Sequence, residues 1–304
     1  MSDSRRFYLR QGKIFKAAGG FFSVHSDVGN VFVCRARGLL KRNRQTLLVG
    51  DEVVFQPVRE PDYESVGEGV IEKVLPRKNN LRRPAVVNVD QLAVVFSLKN
   101  PPCDWQLASR LAVLAEQEGI PVFFCFNKTD LMTEGELKRN DSLLEFSPYC
   151  YIRTSALTGE GVIDLKNKLA GRCSVFAGPS GAGKSSLLNA VQPGLALQTG
   201  SVSERIGRGR HTTRSAELLI LDNGGMVADT PGFTRLEFGS LRAEDLARYF
   251  PEFSDLHRQC AFRDCRHLDE PDCAVREEVG KRVNPLRYEH YRFFMEELDR
   301  QEVY

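Results

Sequence analysis

The sequence predicts an α/β chain in three parts: an N-terminal OB-type β-barrel, a wound sheet with crossover helices, and a helical C-terminal segment that holds a Cys/His cluster. Three observations carry this reading. Short apolar or alternating runs fill residues 7–75, strand and helix patterns alternate from Val86 onward, and Cys260, Cys265, His267 and Cys273 crowd into a polar stretch past about residue 238. A length of 304 residues suits two or three domains, and 42% hydrophobic with 27% charged residues sets aside collagen-like, coiled-coil and disordered chains. The expected borders are 1–75 for the barrel, 76–85 for a linker, 86–238 for the wound sheet and 239–304 for the C-terminal domain.

The barrel rests on Phe21 to Val24, Val31 to Arg35, Glu52 to Phe55 and Val70 to Val74, separated by Gly, Asn and Asp. Pro76 and Pro84 bound a basic, polar stretch that reads as the linker. Leu92 to Leu98 is apolar throughout and fits a strand buried on both faces. Asp104 is placed to cap a helix whose Leu107, Leu111, Leu114 and Ala115 share a face; Gly119 and Pro121 end it, and Val122 to Phe126 forms the next strand. Further strands are expected at Tyr151 to Thr154, Ser174 to Ala177, Ala216 to Leu221 and Met226 to Ala228, with helices near 161–170 and 183–191. Asn284 and Pro285 open a last helix with Leu286, His290, Phe294 and Leu298 on one face.

The formal net charge of +2 hides an asymmetry. Residues 1–50 hold ten Lys/Arg against Asp3 and Asp27, a net of +8, and the rest sums to −6. On an OB-type barrel, that charge and the aromatics Phe7, Tyr8, Phe15, Phe21, Phe22 and Phe32 suit neutralisation of an RNA backbone plus base stacking, although many of the rings must be core. Arg263, Arg266, Lys281, Arg282, Arg287 and Arg292 could add phosphate contacts near the C-terminus. No apolar run reaches 18 residues and the start MSDSRRFYLRQGK lacks a signal-peptide core, so a cytoplasmic protein without a membrane partner is expected. Five scattered cysteines, Cys34, Cys103, Cys125, Cys150 and Cys173, read as ordinary thiols, several of them buried.

Gly178-Pro179-Ser180-Gly181-Ala182-Gly183-Lys184-Ser185, followed by Ser186, satisfies GxxxxGK[ST] between an expected strand and an expected helix. Its backbone N–H groups can cradle phosphates, Lys184 can reach the β- and γ-phosphates, and the Ser185 hydroxyl suits Mg²⁺. Asn127-Lys128-Thr129-Asp130 follows an expected strand, and a carboxylate at Asp130 can accept from N1–H and the exocyclic amine of guanine, whereas adenine presents an acceptor at N1. The aliphatic stem of Lys128 can lie over the base, and Ser155-Ala156-Leu157 resembles the loop that backs it. Asp229-Thr-Pro-Gly232 places a carboxylate at a strand end for Mg²⁺ and an N–H that can sense the γ-phosphate.

These are the signatures of a P-loop GTPase in a circularly permuted order, with the base-reading residues ahead of the phosphate loop. Such a rearrangement keeps the packed sheet intact when natural termini lie close together. Cys260, Cys265, His267 and Cys273 offer three thiolates and an imidazole within 14 residues, a closed structural zinc set. His257 lies nearby, but four ligands already complete a tetrahedron, so it reads as a surface residue.

The basic barrel, the permuted motifs, Gly209-Arg-His-Thr-Thr-Arg214, Asp229-Thr-Pro-Gly-Phe233 and the terminal cluster together resemble the ribosome-small-subunit-dependent GTPase A family (RsgA, also called YjeQ) over nearly the whole chain. The resemblance implies a GTPase using GTP/GDP, Mg²⁺ and one structural Zn²⁺, bound to the small (30S) ribosomal subunit and its 16S rRNA; a monomer without a DNA partner is expected. It further implies stimulation by the subunit and action late in subunit maturation. Phe233 stands where many GTPases hold a water-orienting Gln, so the isolated chain should be slow. The resemblance implies that His211 supplies the missing group on the subunit; the alternative is that it contacts rRNA or only solvent. Thr213, or else Thr212, should bring a hydroxyl to Mg²⁺. The competing functional reading is a nucleotide-sensing checkpoint module whose hydrolysis is incidental; an ATP-dependent kinase is disfavoured by Asp130.

Overall fold

Alternating inward and outward residues build the first of two units in the structure, a computed structural model that describes residues 8–38, 46–63, 65–82, 84–195, 197, 217–229, 238–239 and 241–302. That unit comprises residues 1–91, 166–176 and 202–231; the second comprises 92–165, 177–201 and 232–304. In the first, β1 (Arg10–Ala18), β2 (Phe21–Ser26), β3 (Val31–Ala36), β4 (Glu52–Arg59) and β5 (Gly67–Val74) close a barrel in the order β1-β2-β3-β5-β4. β1 runs antiparallel to both β2 and β4, while β3 and β5 run parallel from Phe32↔Gly67 to Ala36↔Ile71. This is the expected OB-type barrel. Its inside is filled by Ile14, Val24, Phe32, Cys34, Val53, Phe55 and Ile71, all fully buried. A bulge between Ile14 and Lys16 bends β1 as the barrel closes.

Residues 76–85, the expected linker, carry short strands that continue past them. β6 (Asn80–Arg82) and β7 (Ala85–Val87) pair antiparallel, and Arg77 donates at 2.7 and 2.8 Å to both oxygens of the buried Asp51 carboxylate. The same unit pairs β11 (Cys173–Ala177) in parallel with β13 (Met226–Asp229), from Cys173↔Met226 to Phe176↔Asp229, and β12 (Leu218–Ile220) lies antiparallel on β13. Just before β12, Glu217 bridges to Lys16 of β1 through the backbone and through an ion pair of 3.0 Å.

The second unit winds β8 (Gln91–Ser97), α1 (Trp105–Gln117), β9 (Val122–Asn127), α2 (Glu134–Leu144) and β10 (Tyr151–Arg153) into parallel strands with helical crossovers. β8 is buried along its length, as its unbroken apolar run requires. Asp104 caps α1 by accepting from Leu107 N at 2.9 Å. α2 was not expected; its Thr133/Glu136 capping box starts it, and none of its residues is buried. α3 (Val162–Leu169) and α4 (Lys184–Val191) follow.

The C-terminal part holds short helices α5 (Ser254–His257) and α6 (Ala274–Glu277) and the long α7 (Pro285–Glu302). Phe238, Phe250, Phe253, Tyr291, Phe294 and Leu298 form its core. Asn284 caps α7 by accepting from Arg287 N at 3.0 Å, and its amide donates to the Leu143 and Glu145 carbonyls at 2.8 and 2.6 Å. α7 is thereby tied to the end of α2.

Candidate nucleotide-binding site and metal centre

β9 ends at Asn127 and the chain turns at once, with Lys128 in the left-handed conformation at φ 64°. Asn127 is 1% exposed, and its amide joins two loops. Nδ2 donates to the Ala182 carbonyl of the phosphate loop at 2.9 Å, and Oδ1 accepts from Ala156 N at 3.2 Å. Ser155 Oγ donates to Asp130 Oδ1 at 2.5 Å. Thr129 Oγ1 lies 3.0 Å from the Thr154 carbonyl and 2.7 Å from Glu160 Oε2. Asp130 itself is exposed, with one carboxylate oxygen held by the buried Ser155 hydroxyl. Asn127, Lys128, Asp130, Ser155 and Ala156 are thus brought together.

The phosphate loop runs from β11 to α4. Gly178 has φ +149°, and a Cβ there would lie 1.9 Å from the Val95 carbonyl oxygen. Gly183 has φ +89°, and a Cβ there would lie 2.2 Å from Asn127 Nδ2. Both positions therefore demand glycine, the second because the Asn127 side chain is packed against the loop. Lys184 opens α4, is 9% exposed, and its ammonium bonds the Gly178 and Pro179 carbonyls at 2.8 and 2.9 Å. A buried cation at a helix N-terminus beside a glycine-rich loop fits a polyphosphate. Pro179, Ser180, Gly181 and Ala182 lie on the loop, and Ser185 and Ser186 are half-buried in the first turn of α4. Asp229 ends β13 with its Cα paired to Phe176, two residues before Gly178. His211, Thr212, Thr213 and Gly232 lie outside the described residues.

The ligand atoms of Cys260, Cys265, His267 and Cys273 lie within 4.8 Å of one another. His267 Nδ1 is 3.6, 3.4 and 3.3 Å from the sulfurs of Cys260, Cys265 and Cys273. A tetrahedral ion with Zn–S near 2.3 Å and Zn–N near 2.05 Å has an S···N edge of about 3.6 Å, so the cluster fits zinc in size and donor type. Burial pushes the Cys265 thiol up to about 12, and burial followed by the neighbouring His257 lowers the His267 imidazole to about 4. Without a cation these groups are thus held neutral, and a divalent ion is what would favour thiolates here.

Two expectations about neighbouring residues need correcting. His257 is no plain surface residue, since its Nδ1 lies 3.0 Å from His267 Nε2. Arg287 is 6% exposed and pairs with Glu252 at 2.5 Å, so it does not face a phosphate backbone. Sequence reasoning also missed Glu160, whose side chain holds Thr129 and whose carbonyl accepts from Ser155 N at 3.0 Å. Of the barrel aromatics, Phe32 is core, whereas Tyr8 and Phe21 are exposed, with Arg35 lying 4.6 Å over the Phe21 ring. No helix among the described residues is long and apolar enough to cross a membrane.

Comparison with known proteins agrees with this geometry. The RsgA GTPase family model matches residues 74–239, and the RsgA N-terminal domain model matches residues 11–65. A small ribosomal subunit biogenesis GTPase RsgA of Moorella thermoacetica is 46% identical over 95% of this chain and 97% of its own length. The protein of that name from Geobacillus thermodenitrificans is 44% identical over 95% of this chain and 98% of its own. The crystal structure of YjeQ from Thermotoga maritima superposes with a TM-score of 0.81 at 38% identity, covering 96% of this chain and 99% of that one. YloQ, described as a circularly permuted GTPase, gives 0.81 at 34% identity, with 99% of each chain covered. The chain belongs to the RsgA GTPase family and is a GTP-hydrolysing enzyme with a circularly permuted nucleotide domain.

Proposed function

We propose that this chain is a guanine-nucleotide switch of the small ribosomal subunit: it binds the 30S particle through 16S rRNA, hydrolyses GTP to GDP and phosphate there, and is released as the subunit matures. The observation that carries the nucleotide reading is the Asn127 amide, which joins the base-side turn to the Ala182 carbonyl of the phosphate loop. One side chain thereby sets the distance between the groups that would read the base and those that would hold the phosphates.

In this reading Asp130 accepts from guanine N1–H and the exocyclic amine, Lys128 covers the base, and Ser155 and Ala156 back it. Gly178 to Ser186 wrap the phosphates, with Lys184 on the β- and γ-oxygens. Ser185, Asp229 and Thr213, or else Thr212, would hold Mg²⁺, and Gly232 would meet the γ-phosphate. Bound Mg²⁺ supplies charge neutralisation at the transferred phosphoryl group. His211 is the candidate to orient the attacking water. Cys260, Cys265, His267 and Cys273 would hold zinc as a structural clamp. The functional parts are residues 1–75, a connection at 76–85, 86–238 and 239–304, in a cytoplasmic monomer. Support for the ribosomal partner comes from the names of the relatives and from the +8 charge of residues 1–50.

Competition binding tests the base assignment. Wild-type protein should prefer GDP over ADP and XDP, and Asp130→Asn should move the preference toward XDP, whose C2 oxygen needs a donor. Unchanged GDP preference in Asp130→Asn removes Asp130 from the base site.

A further inference from the structure

A neutral imidazole carries one N–H and one lone pair, so it can ligate a metal through only one nitrogen, and the other then needs a hydrogen-bond acceptor. His267 turns Nδ1 toward three sulfurs at 3.3–3.6 Å. Ligation from Nδ1 requires the proton on Nε2. That N–H is enclosed, since His267 is 0% exposed, and a buried donor is stable only when paired. The atom it meets is His257 Nδ1 at 3.0 Å, with the two rings crossing at 83°.

The rest of His267 is placed by other groups. Its backbone is left-handed at φ 59°, its carbonyl accepts from Tyr288 OH at 2.7 Å, and the Phe253 ring packs edge-on against it. What these contacts leave open is which nitrogen carries the proton.

We infer that His257 is a positioning residue of the metal centre: its Nδ1 accepts the Nε2–H of His267 and keeps His267 in the tautomer whose Nδ1 lone pair faces the three thiolates. This rests on the reading that Cys260, Cys265, His267 and Cys273 hold zinc. Acceptance also defines His257, whose own proton then sits on Nε2. Because His257 lies outside the stretch from Cys260 to Cys273, it ties that metal-binding loop to α5, whose Leu256 is core. A partner to the distal nitrogen of a ligating histidine is worth about 10–100-fold in metal affinity where it has been removed elsewhere.

The test uses the full chain purified with zinc. Zinc content is measured, and the rate of zinc transfer to the chromophoric chelator 4-(2-pyridylazo)resorcinol is followed for wild type, His257→Ala and His257→Asn. Asparagine Oδ1 occupies the place of histidine Nδ1, so it restores the acceptor without the ring. Wild type should hold one zinc, His257→Ala should release it at least about 10-fold faster, and His257→Asn should return to within about threefold of wild type. Long-range ¹⁵N correlation spectra of wild type should show the Nε2–H tautomer for both histidines, a reading that does not depend on either variant folding. His257→Ala releasing zinc at the wild-type rate, His257→Asn no better than alanine, or a proton on His257 Nδ1 would overturn the inference while leaving the zinc reading intact. A wild-type chain without zinc would remove both.

Discussion

Replacing Asn127 by alanine removes the amide that joins the turn after β9 to the glycine-rich loop, the proposed base and phosphate sides of the site. Two hydrogen bonds to backbone are lost, to the Ala182 carbonyl at 2.9 Å and from Ala156 N at 3.2 Å, with a longer one from Thr154 Oγ1 at 3.5 Å whose donor also faces the Phe126 carbonyl, at a residue only 1% exposed. Each partner left without its bond costs about 1–2 kcal/mol, so the total is about 2–4 kcal/mol. At about 2–4 °C per kcal/mol for a domain of this size, the melting temperature should fall by about 5–15 °C. If half of the loss falls on the shape of the phosphate loop, GDP affinity drops about 5- to 30-fold. Thermal melts and titration with a fluorescent GDP analogue read both quantities. Asn127→Asp keeps an acceptor for Ala156 N but sets an oxygen against the Ala182 carbonyl, so it should also bind GDP weakly. An alanine variant with wild-type affinity and an unchanged melting temperature would refute the role given to this amide.

Gly183→Ala should weaken GDP binding at least about 10-fold in the same titration, because the new Cβ lies 2.2 Å from Asn127 Nδ2 on a left-handed backbone. Glu252→Ala strands the Arg287 guanidinium, whose side chain is 7% exposed, and should cost about 3–5 kcal/mol in chemical denaturation, with Glu252→Gln costing less. His290 is 9% exposed, bonded to Ser109 Oγ at 2.8 Å, and lowered to about 4 by burial and then by Arg287. Its folded value lies below the ordinary 6.5, so the unfolded chain binds the extra proton first; the contribution is complete above pH 6.5 and is lost as pH falls through about 4. The loss amounts to about 3 kcal/mol, and melting temperatures from pH 7.5 to 4.5 should fall more steeply for wild type than for His290→Leu.

The features legible in the sequence were those that local chemistry dictates. Asp104 and Asn284 cap helices because short polar side chains reach the first free N–H groups, and both do so here. The run Leu92 to Leu98 reads as a doubly buried strand and is one. α2 was missed although Thr133 and Glu136 spell a capping box, because it buries nothing and so shows no apolar stripe. Partnerships across long separations were not legible at all. Arg287 looks like a surface cation until Glu252, 35 residues away, is seen beside it, and Glu160 has no signature until Thr129 folds onto its carboxylate. Four candidate ligands complete a tetrahedron without His257, but counting them says nothing about what the ligands themselves require, and His267 Nε2 meets His257. The glycine-rich loop, the turn after β9 and the cysteine cluster are legible because each demands particular residues at fixed spacing.

The central proposal is that GTP turnover is triggered by the small ribosomal subunit, and steady-state phosphate release with and without purified 30S particles measures it directly. We expect slow turnover by the chain alone and a rise of about 10³-fold or more on the subunit, the scale of a catalytic group completed by a partner, fading as salt is raised from 50 to 200 mM because the proposed contacts are to phosphates. Turnover that the subunit leaves unchanged at low salt would contradict the account.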